Sequence, residues 1–209
     1  MNKEKKIVDF YLLCNKLKDT IRTGWLDWNV KRKRVESIAE HVYGTQMLAI
    51  AIHSEYKYKL DLKKVIFMLS IHEVGEAVIG DLTEFDLPKE EKIKKEREAV
   101  HNIFSKMLDA KEIEDLFLEY DEHKTDEAIF AYEVDHIECD IQCKIYDEEK
   151  CVDIYDQEGN KSQTNGEVDE LLKENISWSE HWIKYSRNHY PYDENFIALS
   201  EYIESNDIL

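Results

Sequence analysis

The sequence predicts an all-α fold, and three observations carry that expectation. Glycine and proline supply only 6 and 2 of the 209 residues. An average composition would supply about 12% of them, roughly 25 residues, so turns and breakers are scarce. Apolar residues recur at helical spacing along most of the chain, the signature of amphipathic helices. No segment shows a convincing alternation of apolar and polar residues of the kind a strand needs. A hydrophobic content of 43% over this length suits a single domain, residues 1–209.

The helices follow in order. Residues 4–18 place Ile7, Phe10, Leu13, Cys14 and Leu17 on one face. Residues 20–35 read as a loop holding Gly24, Trp25, Trp28 and the basic run Lys31 to Arg34. A second helix begins near Ser37, because Ser37 and Glu40 have the spacing of a capping box. Ile38, His41, Thr45, Leu48 and Ile52 share its inner face. A third helix is expected from Asp61 to Ile79, stopping at Gly80, with Leu62, Val65, Leu69, His72 and Glu76 inward. Pro88 suits the first turn of a fourth helix, since its missing N–H would be unbonded there anyway. Further helices are expected over 110–121, 125–147, 167–187 and 193–204, with a polar loop over 148–166. The sixth, 125–147, turns Ala128, Ala131, Tyr132, Asp135, Cys139 and Gln142 to one side.

Charge and cysteine content narrow the function classes. A net charge of −18 repels polyanions, so neither nucleic acid nor an anionic membrane is expected as a partner. A phosphate-bearing ligand would need local positive charge or a metal. The four cysteines form neither a zinc-knuckle spacing nor a disulfide framework, which fits thiols in a reducing cytoplasm. Asp9 interrupts the apolar run after the N-terminal lysines, so a signal peptide is not expected. The longest uncharged stretch, near Val42 to Ser54, is too short to span a bilayer.

The informative residues are polar groups on apolar helical faces: His41, His72, Glu73, Glu76 and Asp135. Burying an isolated charged carboxylate is expensive unless something compensates it. Taken singly, an inward histidine is more often a satisfied core residue, and an inward aspartate caps or pairs. Taken together, two histidines and several carboxylates on three amphipathic helices match the way helical bundles build metal sites. Imidazole and carboxylate donors suit Mn²⁺, Co²⁺, Fe²⁺ or Zn²⁺ better than Ca²⁺. A zinc-peptidase reading of His72-Glu73 fails, because the fifth position is Glu76 rather than histidine.

Four segments carry a family resemblance. Glu36-Ser37-Ile38-Ala39-Glu40-His41 resembles the opening motif of HD-domain metal-dependent phosphohydrolases. Ile71 to Asp81, reading His72-Glu73-Val74-Gly75-Glu76 and ending Gly80-Asp81, resembles their HDxxExxxGD segment. Val134-Asp135-His136-Ile137-Glu138 resembles the later D-K-L-E helix. Arg22-Thr23-Gly24-Trp25 before Asn29-Val30 resembles the substrate loop of the 5′-deoxynucleotidase (YfbR-like) branch. The resemblance implies an all-α HD-type bundle and a homodimer. It implies one divalent metal (Mn, Co, Zn, Fe or Mg) held by His41, His72, Glu73 and Asp135. Glu76 would serve as acid/base toward the attacking water, and Asp81 would sit at the sugar or leaving-group side. Arg22 and Trp25 would grip the nucleotide. The implied reaction is hydrolysis of a deoxyribonucleoside 5′-monophosphate to deoxynucleoside and phosphate.

Two departures leave alternatives open. The name-giving aspartate is Glu73, one methylene longer, and Trp28 stands where a basic residue often precedes Asn-Val. The run Lys31 to Arg34 either compensates for that loss or is a solvated loop. The alternatives are a phosphohydrolase of another substrate, such as a nucleoside triphosphate or other phosphomonoester, or a degenerate nucleotide-binding domain with an altered metal site.

Overall fold

In the computed structural model, which describes residues 2–83 and 85–209 with the side chain of Thr164 left out, 69% of the chain is helical. Among the described residues the sole β-type pairing is an isolated bridge between Ile21 and Ser37. The all-α expectation therefore stands. In order the helices are α1 (Lys3–Asn15), α2 (Thr23–Asp27), α3 (Ile38–Tyr56), α4 (Leu62–Ile71), α5 (Glu76–Ile79), α6 (Lys89–Phe104) and α7 (Ala110–Glu122). They are followed by α8 (Asp126–Glu148), α9 (Glu167–Glu174), α10 (Trp178–His189) and α11 (Glu194–Ser205).

Contacts divide the chain into two compact units, residues 1–23 with 36–132, and residues 24–35 with 133–209. In the first unit α3 packs on α4 and α6 on α7, while α5 lies against α6 and α1. Its core joins Ile71, Val74, Val100, Ile103, Phe104 and Phe117, with Phe10 and Leu13 against them. The entry to α3 is the expected capping box. Glu40 N donates to Ser37 Oγ at 3.3 Å, and Ser37 N donates to Glu40 Oε2 at 2.9 Å. Such a cap contributes about 1 kcal/mol, and it fixes the first turn of the helix that carries His41.

Two helix assignments and two loop assignments differ from expectation. The helix expected over 61–79 is interrupted at residues 72–75, where hydrogen bonds tighten from i+4 to i+3: Val74 N donates to Ile71 O and Glu76 N to Glu73 O. Mid-helix tightening of this kind often accompanies a functional site. The helix expected over 167–187 breaks at Asn175, which is left-handed with φ 55°. Asn tolerates that conformation better than most residues. The loop expected over 20–35 contains the short α2, and the polar segment before α9 closes with a 3₁₀ turn over Lys161–Asn165.

The second unit is built on aromatic packing. Trp25, Trp28, Tyr146 and Trp178 are buried together, with Trp182 against them. Asp140, on α8, is fully buried and accepts a hydrogen bond from the Tyr192 hydroxyl at 3.2 Å. Burial pushes its carboxyl up to about 7, against the lowering influence of Ser186, Tyr192 and Arg187. A carboxyl with a raised folded-state pKa favours the protonated fold. Its stabilising effect is complete below the unfolded value and is lost as pH rises through about 7. The thermal midpoint should therefore drop as pH rises from about 4 to about 7, and Asp140→Asn should flatten that drop. A variant that keeps the full slope in a melting series would remove Asp140 as its source.

Candidate metal and acid/base site

The first unit brings three of the expected ligands together. His41 lies on the inner face of α3, one turn past the capping box, and is fully buried. His72 and Glu73 follow the last turn of α4, in the tightened segment. The two imidazole Nε2 atoms stand 3.4 Å apart. Glu73 Oε1 lies 3.7 Å from His72 Nε2 and 3.9 Å from His41 Nε2. The longer side chain of Glu73 thus still delivers its carboxylate to both histidines.

This donor set fits a divalent cation. His72 Nδ1 lies 2.8 Å from the Leu69 carbonyl. A proton on Nδ1 satisfies that carbonyl and leaves the Nε2 lone pair for a metal, the usual way a neighbouring acceptor fixes a ligand's tautomer. Donors sharing one ion at about 2.0–2.2 Å stand roughly 3.0–3.4 Å from each other in octahedral to tetrahedral arrangements. The observed 3.4–3.9 Å spacing is close to that range. Asp135 is carried by α8, on the part of that helix that belongs to the second unit, and is half-buried.

Glu76 opens α5 and is 5% exposed. Its Oε2 is buried and has no hydrogen-bond partner among the described residues. Burial raises its carboxyl well above the ordinary range, and the negative charges of Glu73 and Asp81 add to the rise, while Lys92 and Arg22 oppose it. A buried carboxyl shifted in this way has the profile of a general acid/base. Lys92, on α6, places Nζ 3.8 Å from Glu76 Oε1 and 3.5 Å from Glu96 Oε1. Lys92 escapes a reading of the sequence, because α6 opens as a dense run of charges in which any lysine passes for solvated. Its one signal was the i,i+4 spacing to Glu96.

The remaining expected residues divide. Arg22 Nη1 lies 3.4 Å from Glu73 Oε1, so this guanidinium does reach the site. Asp81 is committed locally: Thr23 N donates to its Oδ2 at 2.5 Å, and the Thr23 hydroxyl donates to its main-chain oxygen at 2.7 Å. Its carboxylate therefore holds the chain just after Arg22. Trp25 is 2% exposed. Its ring meets Tyr146, Trp178 and Trp182 at centroid distances of 5.3, 6.3 and 5.3 Å, so its faces are used in packing the second unit.

Comparison with known proteins identifies the family. The chain is 33% identical over 150 residues to the 5′-deoxynucleotidase HDDC2 of Dictyostelium discoideum, covering 68% of this chain and 78% of that protein. The human 5′-deoxynucleotidase HDDC2 is 29% identical over 178 residues, covering 81% of this chain and 84% of that one. A solved structure from Pyrococcus horikoshii OT3 matches in fold with a TM-score of 0.67 at 22% identity, covering 94% of this chain and 98% of that one. The sequence model that describes the HD domain matches residues 14–176. With that match spanning most of its length, and with two histidines and a glutamate converging in the first unit, the chain belongs to the HD domain family.

Proposed function

We propose that this protein hydrolyses deoxyribonucleoside 5′-monophosphates to deoxynucleoside and phosphate. The observation that carries the reading is the convergence of His41 Nε2, His72 Nε2 and Glu73 Oε1 beside a buried Glu76. His41, His72 and Glu73 would hold one divalent cation, with Asp135 as the fourth donor. When bound, that cation makes water a better nucleophile near neutral pH and offsets charge on the phosphoryl oxygens. Glu76 takes the proton from the attacking water as the new O–P bond forms. The P–O bond to the 5′ oxygen breaks with its electron pair passing to that oxygen, which takes up a proton equivalent to the one held by Glu76 and leaves as the nucleoside hydroxyl.

Arg22 offers the flat, multi-donor guanidinium that matches a phosphate. Asp81 would stand near the sugar while holding the Arg22–Thr23 backbone. Trp25 would act on the nucleotide through the shape of the loop that it anchors. The homodimer implied by the family resemblance and the cytoplasmic location read from the cysteines remain part of this proposal. The substrate is a small nucleotide, and the net charge of −18 argues against nucleic acid.

The test is phosphate release after chelator stripping and addition of Mn²⁺, Co²⁺, Zn²⁺ or Mg²⁺, across deoxy- and ribonucleoside 5′-monophosphates. Metal-dependent release, faster from the deoxy set, is the expected result. Absence of release with every metal would remove the nucleotidase reading.

A further inference from the structure

α6 presents three residues at i, i+4 and i+8, namely Lys92, Glu96 and Val100, to the segment that carries Glu76. A methyl group built on Gly75 would meet the Glu96 carbonyl oxygen and Val100 Cγ2 at 3.5 Å each, so the two backbones lie close. Val100 is buried in the core, which fixes the rotation of α6 about its axis. That rotation puts Lys92 on the site side, with its side chain 30% accessible against 3% for Glu76. The ammonium group meets one oxygen of Glu76, Oε1, at 3.8 Å. The other oxygen, Oε2, is the buried one with no hydrogen-bond partner among the described residues. Carboxylates outnumber cations nearby: Glu73, Glu76, Asp81 and Glu96 surround Lys92 and Arg22.

We infer that Lys92 is a positioning residue: it anchors Glu76 through Oε1 and so turns Oε2 toward the reacting water. This rests on the proposed phosphohydrolase reading of the site. A compact ammonium suits the task, because it can sit between Glu76 and Glu96 without the planar fork that an arginine must align. Removing the cation takes away the ion pair that singles out Oε1 from Oε2.

The test uses Lys92→Met, Lys92→Arg, Glu76→Gln and the Lys92→Met/Glu76→Gln double variant. Lys92→Met should lower kcat by about tenfold with KM changed less than about twofold, and Lys92→Arg should recover part of the loss. In the Glu76→Gln background, Lys92→Met should have almost no further effect, because a residue that acts only through Glu76 has nothing left to position. A rise in KM at constant kcat would instead place Lys92 on the substrate phosphate and overturn the assignment. Full additivity of the two variants would also overturn it. A second cycle reads the contact without turnover, by denaturant unfolding of the chelator-treated proteins. A coupling of about threefold or more in the unfolding constant is expected, and independent effects would overturn the anchoring. That second cycle decides the point even if the wild-type protein releases no phosphate, so failure of the nucleotidase reading stays separate from failure of this one.

Discussion

Glu76→Gln is expected to lower kcat by about 10²-fold or more while metal stoichiometry stays at the wild-type value. General acid/base catalysis contributes roughly 10²–10⁴-fold, and the amide can hold a water but cannot take its proton. Glutamine has the size of glutamate, and Glu76 is enclosed on one side by α6, so the fold should accept the change. It should even relieve the fold slightly, since burial and the nearby Glu73 and Asp81 already oppose the charge on this residue. The pH profile supplies an independent check. A base must be deprotonated to work, so activity falls as pH drops through its pKa. Because that pKa is raised by burial, the acid limb of kcat/KM should stand above the ordinary carboxylate range in the wild type and disappear in the variant. Unchanged turnover measured at saturating substrate and metal would exclude Glu76 from the chemistry.

The site was partly legible because its polar residues violate the rule that organises the rest of the sequence. His41 sits between Ile38 and Thr45 on a face that is otherwise buried, and a fully enclosed imidazole there needs a partner. His72 and Glu76 interrupt an apolar stripe in the same way. Periodicity found these positions, but it could not show how close they come. The 3.4 Å approach of the two Nε2 atoms is a contact between α3 and the end of α4, and Glu73 and Glu76 follow it through the tightened turns at 72–75. Nothing in the local composition except Gly75 announces those turns.

Other features were invisible for physical reasons. The link from Thr23 to Asp81 spans 58 residues and uses a backbone N–H, which every residue but proline possesses. No sequence pattern marks such a bond, so Asp81 read as a residue facing substrate rather than one that also ties down the Arg22 loop. Trp25 misleads in the opposite sense. An aromatic residue in a loop beside an arginine suggests a stacking platform, yet its ring faces are enclosed by Tyr146, Trp178 and Trp182. The tryptophans that enclose it lie more than 150 residues away in the chain, so its burial is a property of tertiary packing alone. Conversely, the break at Asn175 costs little locally, and weak local preferences of that kind are overridden by packing.

Asp135→Asn is expected to abolish metal binding and phosphate release together. The proposed donor set has two neutral imidazoles and two carboxylates, whose charge matches that of a divalent ion. The asparagine side chain keeps the size of aspartate and a carbonyl oxygen, so helix content should be unchanged by circular dichroism; only the negative charge and its donor strength are lost. Replacing even an outer-shell partner of a metal ligand typically lowers affinity about 10–100-fold, and loss of a direct anionic donor should exceed that. Metal analysis of the purified protein, read beside the phosphate assay, separates the outcomes. Full metal content with lost activity would take Asp135 out of the ligand set and leave it a role toward substrate. The expected loss of both has a simple electrostatic origin. Glu73 would remain as the lone anion among the donors, and Arg22 already stands 3.4 Å from it. The cation would then meet a donor set whose single negative charge is shared with a guanidinium, leaving one carboxylate and two imidazoles to offset its desolvation.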